Sequence, residues 1–84
     1  MYYVYVLYSL KDKGMYIGQT AHLIQRIKQH QSGKVKSTKS RRPFVLVYMQ
    51  KANSRAEALQ LEAALKTSKG RRILRKRLKI INIK

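Results

Sequence analysis

Apolar and polar positions along Tyr2 to Ser9 predict a strand, with Val4, Val6 and Tyr8 on one face and Tyr3, Tyr5 and Leu7 on the other. Leu10-Lys11-Asp12-Lys13-Gly14 supplies turn residues, and Met15-Tyr16-Ile17 returns as a second strand, making a hairpin. If Ser9 pairs with Gly14, Leu7 faces Tyr16, and Tyr5 becomes the diagonal neighbour of Tyr16 on the same face. From Ala21 the period changes: Leu23, Ile24 and Ile27 recur at helical spacing as far as Gln31, with Thr20 placed to cap the start and Ser32-Gly33 to close the end. His22, Arg26 and His30, four residues apart, form a polar row that borders this apolar stripe and suits the rim of a cleft.

After Pro43 the near-continuous apolar run Phe44 to Met49 predicts a third, central strand. Ser54-Arg55-Ala56-Glu57 is a capping box, opening a helix expected to run to about Ser68 with Gly70 just past its end. A shorter basic helix around Ile73 to Lys79 leads into the tail from Ile80 to Lys84, which contains Asn82. The order is β-β-α-β-α-α, an α+β arrangement, and 84 residues leave room for a single domain, residues 1–84.

Charge narrows the functional classes. Lys and Arg number 20 against 3 Asp and Glu, a formal net charge of +17. The excess is clustered: five basic residues fall in the loop 34–42, between Gly33 and Pro43, and nine fall in 66–84, where no acid follows Glu62. Such self-repulsion calls for an anionic partner, and nucleic acid is the favoured one over a merely solvated basic face. A membrane-surface helix needs bulky residues opposite the charges, whereas Ile73, Leu74 and Leu78 suffice only to dock the segment on its own core. With no cysteine, disulfide staples, thiolate zinc sites and cysteine nucleophiles are excluded, and a cytoplasmic location is expected. The apolar N-terminal segment lacks the basic flank and cleavage site of a signal peptide and is too short to cross a bilayer.

With only three acids, each can be asked for its reason. Asp12 belongs to the turn and Glu57 to the helix cap. Glu62 falls on the helical wheel among Ala58, Leu59, Leu61 and Leu65, where an ionised carboxylate needs a neutralising cation. Two readings stand side by side. One is an ion pair with Lys66 one turn on, or with an Arg from another element. The other is a ligand for a divalent ion such as Mg²⁺, commonly held by one or two carboxylates plus water and phosphate oxygens, a combination suited to nucleic-acid hydrolysis.

Tyr3-Val4-Tyr5, Tyr16-Ile17-Gly18, Arg26 and His30 on the next helix, and Glu62 on the one after resemble, in order and spacing, the GIY-YIG nuclease superfamily and its small stand-alone members. The stretch from Tyr16 through His30 is especially similar to the second motif of that family. The resemblance implies a three-stranded antiparallel sheet flanked by helices and metal-dependent cleavage of a DNA phosphodiester. It makes Glu62 the sole protein ligand of one Mg²⁺ or Mn²⁺ ion and Arg26 a clamp on the scissile phosphate. Tyr5 and Tyr16 become the phenols that position or deprotonate the attacking water, and His30 accepts or relays a proton.

The departures from the pattern are specific. Tyr3-Val4 replaces Gly-Ile, His22 stands where the family often has a small polar residue and becomes an added phosphate contact, and Asn82 matches an asparagine near the end of the module. Ser37 and Thr38 occupy the loop where many active members carry a second histidine. Phosphate contacts are expected from Lys34, Lys36, Lys39, Arg41, Arg42, Lys66, Arg71, Arg72 and Arg75. Two functions follow: a structure-directed or weakly sequence-specific DNA endonuclease, or a DNA- or RNA-binding module that keeps the nuclease fold without catalysis. No membrane partner is expected.

Overall fold

The computed structural model describes residues 1–80. Its sheet is set by the turn after Tyr8. The Ser9 hydroxyl accepts the Lys11 and Asp12 N–H groups at 3.2 and 3.1 Å and donates to the Arg41 carbonyl at 2.6 Å. Ser9 N–H donates to Gly14 O at 2.8 Å, with Lys13 at φ 63° turning the chain. Strands β1 (Tyr2–Ser9) and β2 (Met15–Thr20) therefore pair in the expected register, Leu7 opposite Tyr16 and Tyr5 opposite Gly18.

Strand β3 (Phe44–Ala52) pairs antiparallel with the other side of β1, giving the order β2-β1-β3. The expected central strand is thus an edge strand, and β1 holds the centre. Physical pairing explains the reversal: β1 carries both ladders and is buried from Val4 to Ser9, whereas Leu46 and Met49 of β3 remain 38% and 45% exposed. Between Val6 and Leu7 the pairing jumps from Tyr48 to Leu46, so Val47 is an extra residue in a bulge.

Helix α1 (Leu23–Gln31) covers one face of the sheet, packing Leu23 and Ile27 against Tyr5, Leu7, Phe44 and Tyr16. Helices α2 (Arg55–Leu65) and α3 (Ser68–Ile80) cover the other. There Val4 and Ala52 meet Ala58, Leu61 and Leu65, while Val6, Tyr8 and Val47 meet Leu74 and Leu78. This alternation on β1 is the one its sequence predicted.

Helix boundaries shift in three places. Helix α1 begins at Leu23 rather than Ala21, because the Thr20 hydroxyl takes the His22 N–H at 3.0 Å and leaves His22 at the cap position without a side-chain bond of its own. Helix α2 opens as expected, with Ser54 Oγ accepting Glu57 N–H at 3.1 Å and Glu57 Oε1 accepting Asn53 N–H at 3.3 Å. It stops at Leu65, three residues early. Gly70, expected beyond the helix end, lies inside the first turn of α3. A Cβ on Gly70 would sit 2.4 Å from the Ala64 carbonyl oxygen, so its absence lets α3 start directly against the last turn of α2. No helix among the described residues is long and apolar enough to cross a membrane. Asn82 lies outside the described residues.

Candidate active site

On the α1 face the core is interrupted by polar atoms. Tyr5 and His30 are 1% and 0% exposed, and their side chains meet at 2.9 Å, Tyr5 Oη to His30 Nε2. The second ring nitrogen, Nδ1, lies 2.8 Å from the hydroxyl of Thr38, itself 0% exposed. A hydroxyl has one proton, and that of Thr38 is directed to the Val35 carbonyl at 3.3 Å. With the Thr38 proton assigned to Val35, Thr38 Oγ1 accepts from His30 Nδ1–H and Tyr5 donates to the bare Nε2. Thr38 thus occupies, in space, a role beside His30 that the sequence did not disclose.

Gly18 explains how two phenols fit here. It pairs with Tyr5 across the hairpin, and a Cβ on it would lie 2.8 Å from Tyr5 Oη and 3.0 Å from a ring carbon of Tyr16. The missing side chain is the space into which the Tyr5 ring leans. Tyr16 and His30 rings stand 4.9 Å apart and Tyr5 and Tyr16 rings 6.2 Å apart. Arg26 completes the group: its guanidinium acts on both Tyr5 and His30 and donates to Gln29 Oε1 at 3.1 Å. The helical spacing of Arg26 and His30 delivers both to the sheet face that carries the tyrosines, so four of the residues expected to act together do meet, whereas Glu62 rides on α2, which packs against the other face of the sheet.

The electrostatics follow from burial. Burial pushes the Tyr5 phenol up to about 12, with the Arg26 guanidinium pulling the other way. Burial and, after it, the Arg26 charge hold His30 down at about 4. At neutral pH the pair rests as phenol and neutral imidazole, joined by an ordinary hydrogen bond of 2.9 Å. Tyr16 and Arg26 are only partly buried, and they connect this interior pair to solvent. A polar cleft of about 320 Å³ opens beside Arg26, lined by Gln19, Thr20, His22, Gln25 and Gln29.

Glu62 sits at the margin of the α2 core, its side chain 20% exposed, and accepts a hydrogen bond from Lys66 Nζ at 2.8 Å. Leu59, grouped with it on the wheel, is 49% exposed, so the apolar stripe is narrower than expected and Glu62 lies on its border. No group of three or more His, Cys, Asp or Glu gathers for a metal among the described residues. A lone carboxylate still suits Mg²⁺, which keeps several waters and takes further oxygens from phosphate.

Three expected phosphate contacts, two of them in the loop after α1, have structural bonds. Arg41 pairs with Asp12 at 2.6 Å and holds its carboxyl down at about 2, helped by the Gly14 N–H. Arg42 donates to the Lys39 carbonyl at 3.0 Å, and Lys66 is paired with Glu62. Lys36, Lys39 and Arg42 line a groove of about 730 Å³ with Lys11, a cation that its turn position gave no reason to single out. Lys34 is exposed beside them, and Arg71, Arg72 and Arg75 are exposed on α3.

The chain matches the family described as the GIY-YIG catalytic domain over residues 1–77. It belongs to the GIY-YIG family. Among its relatives, a UPF0213 protein of Staphylococcus haemolyticus is 43% identical over 67 residues, covering 79% of this chain and 80% of that protein. A UPF0213 protein of Syntrophus aciditrophicus is 42% identical over 66 residues, covering 76% and 75% of the two chains. The solution NMR structure of a UPF0213 protein from Bacillus halodurans superposes with a TM-score of 0.54 at 38% identity, covering 90% of this chain and 84% of that one. The GIY-YIG fold expected from the motifs is therefore present, and family membership supports a nuclease-type function on nucleic acid.

Proposed function

We propose that the protein is a divalent-metal-dependent DNA endonuclease, structure-directed or weakly sequence-specific. The observation that carries this reading is the buried Tyr5–His30–Thr38 chain beside Arg26, since a fold of this size gains nothing structural from hiding three polar side chains that an apolar set could not supply more simply. Arg26 holds the scissile phosphate through its planar, permanently charged fork. Tyr16, the more accessible phenol, orients the attacking water. The phosphate charge at Arg26 offsets the cation that helps hold His30 down, and as the water oxygen bonds to phosphorus its proton passes to the phenol oxygen of Tyr5, the proton of Tyr5 passes to His30 Nε2, and the leaving oxygen departs opposite the attack. Glu62, released by the exposed Lys66, would hold the Mg²⁺ or Mn²⁺, whose chemistry is to offset phosphate charge and stabilise the leaving oxygen.

Nicking of supercoiled and branched DNA with Mg²⁺ or Mn²⁺ tests the reading. Glu62→Ala and Arg26→Ala should abolish it, and Tyr5→Phe should slow it by about 10²- to 10⁴-fold, the range for a lost proton-transfer group. The Glu62–Lys66 ion pair favours a second reading, a binding module in which that carboxylate is structural. Wild-type protein that binds DNA yet leaves duplex, branched and single-stranded substrates intact would establish it.

A further inference from the structure

Helix α3 presents Lys69, Arg71, Arg72, Arg75, Lys76 and Lys79 to solvent around a buried Leu74. At about 100° per residue these six cations fall within one continuous arc, opposite Gly70 and Leu74, which face the core. No acid lies on the helix. The three acids of the chain are engaged elsewhere, Asp12 with Arg41, Glu62 with Lys66 and Glu57 at the start of α2, so the arc has no internal counterion among the described residues. Arg77 stands apart, donating to the Val47 carbonyl at 2.9 Å.

Position decides what this arc can touch. Leu74 docks α3 on the face of β1 that carries Val6 and Tyr8, whereas Tyr5, Tyr16, Arg26 and His30 lie with α1 on the opposite face. With helix and sheet layers spaced by about 10 Å each, the two cationic surfaces are separated by about 20 Å, some two Debye lengths at 0.1 M salt. The domain measures 32 × 29 × 19 Å, comparable to the width of a DNA duplex, so a short straight duplex lying on the α1 face leaves the cations of α3 unmet. Wrapping one duplex around both opposite faces would require bending a stiff polymer sharply over a domain about as wide as itself.

We propose that the α3 face is a second nucleic-acid-binding surface, holding a separate duplex segment from the one at the α1 face, so that one protein molecule bridges two segments. This rests on the nuclease reading only in taking the α1 face as the site where the first segment lies. The partner is a polyanionic duplex, because the arc offers regularly spaced cations and, apart from Ile73, no bulky apolar residue for insertion into lipid.

The test is the mass of complexes formed with excess 12-base-pair duplex in chelator, by native mass spectrometry and sedimentation, where no cleavage occurs. The expected result is two duplexes per wild-type protein. The triple variant Arg72→Ala, Lys76→Ala, Lys79→Ala and, separately, Lys36→Ala, Lys39→Ala, Arg42→Ala should each keep one duplex, with circular dichroism confirming the fold. A wild-type limit of one duplex, an α3 variant that still binds two, or an α3 variant that loses binding to anionic vesicles while keeping both duplexes would each overturn the proposal. Bridging by a protein that never cleaves with Mg²⁺ or Mn²⁺ would sink the nuclease reading alone, and cleavage by a protein that binds one duplex would sink this one alone.

Discussion

The two faces of the sheet use opposite solutions to burial. Beneath α2 and α3 the contacts are apolar, Val4, Val6, Tyr8 and Val47 against Ala58 and Leu74, with charge held at the margin or turned outward. Beneath α1 the interior includes a phenol, an imidazole and a hydroxyl bonded in series, and the helix covers the sheet incompletely, leaving Leu46 and Met49 exposed. One face is held by apolar contacts, and the other keeps a hydrogen-bonded polar chain away from bulk water. Strand alternation alone separates an apolar half from a polar one in a three-stranded fold: Val6 and Leu7 are adjacent in the chain and serve different halves of the molecule.

Leu74→Ala is the strongest way to break that separation. It should lower stability by about 2–5 kcal/mol in urea denaturation, because the side chain is 0% exposed at the centre of the apolar face, while the surviving folded fraction keeps its activity. Gly18→Val attacks the other face, driving a side chain into Tyr5 and Tyr16 at about 1–3 kcal/mol, and should lose activity out of proportion to stability. Thr38→Val leaves the His30 Nδ1 proton without an acceptor; an expected loss of about 1–3 kcal/mol should come with a changed tautomer, read by ¹⁵N chemical shifts of the ring.

The pH dependence sharpens the contrast. His30 binds its proton near pH 4 when folded and near 6.5 when unfolded. The unfolded chain thus takes up more protons in this window, so stability should decline as pH falls from about 6.5 through about 4, and His30→Gln should flatten that limb. Asp12, held down at about 2, contributes in a lower window, losing its share between about 4 and 2. The smallest effect belongs to the outer surface: Arg71→Ala with Arg72→Ala should alter stability by less than about 0.5 kcal/mol, yet reduce the salt slope of DNA binding by about 2. An unchanged slope would remove these residues from the footprint.

Much of the α1 face was legible because its parts are local. Ser9 and Gly14 lock the hairpin register, which fixes Tyr5 against Gly18, and the four-residue step from Arg26 to His30 fixes both on one helical side. Thr38 was not, since a buried threonine in a loop of hydroxyls and cations has no periodicity to set it apart. Nor was the order of strands: an apolar run such as Phe44 to Met49 reads as central, but its Leu46 and Met49 are exposed, while the tyrosines of β1 conceal how deeply that strand is buried. Glu62 was placed correctly on its helix, and its neighbour Leu59 was not, because a wheel assigns a face without knowing how wide the covering layer is.

The bulge at Val47 has a consequence for the protein as a solute. Strand β3 offers an open edge with apolar side chains beside it, the usual template for sheet-to-sheet aggregation. Arg77 reaches from α3 to the Val47 carbonyl, with its guanidinium 5.2 Å from the centre of the Tyr48 ring. One cation thus occupies an acceptor that an incoming strand would seek and sets positive charge where that strand would dock, so the helix that carries the basic surface also guards the β3 edge.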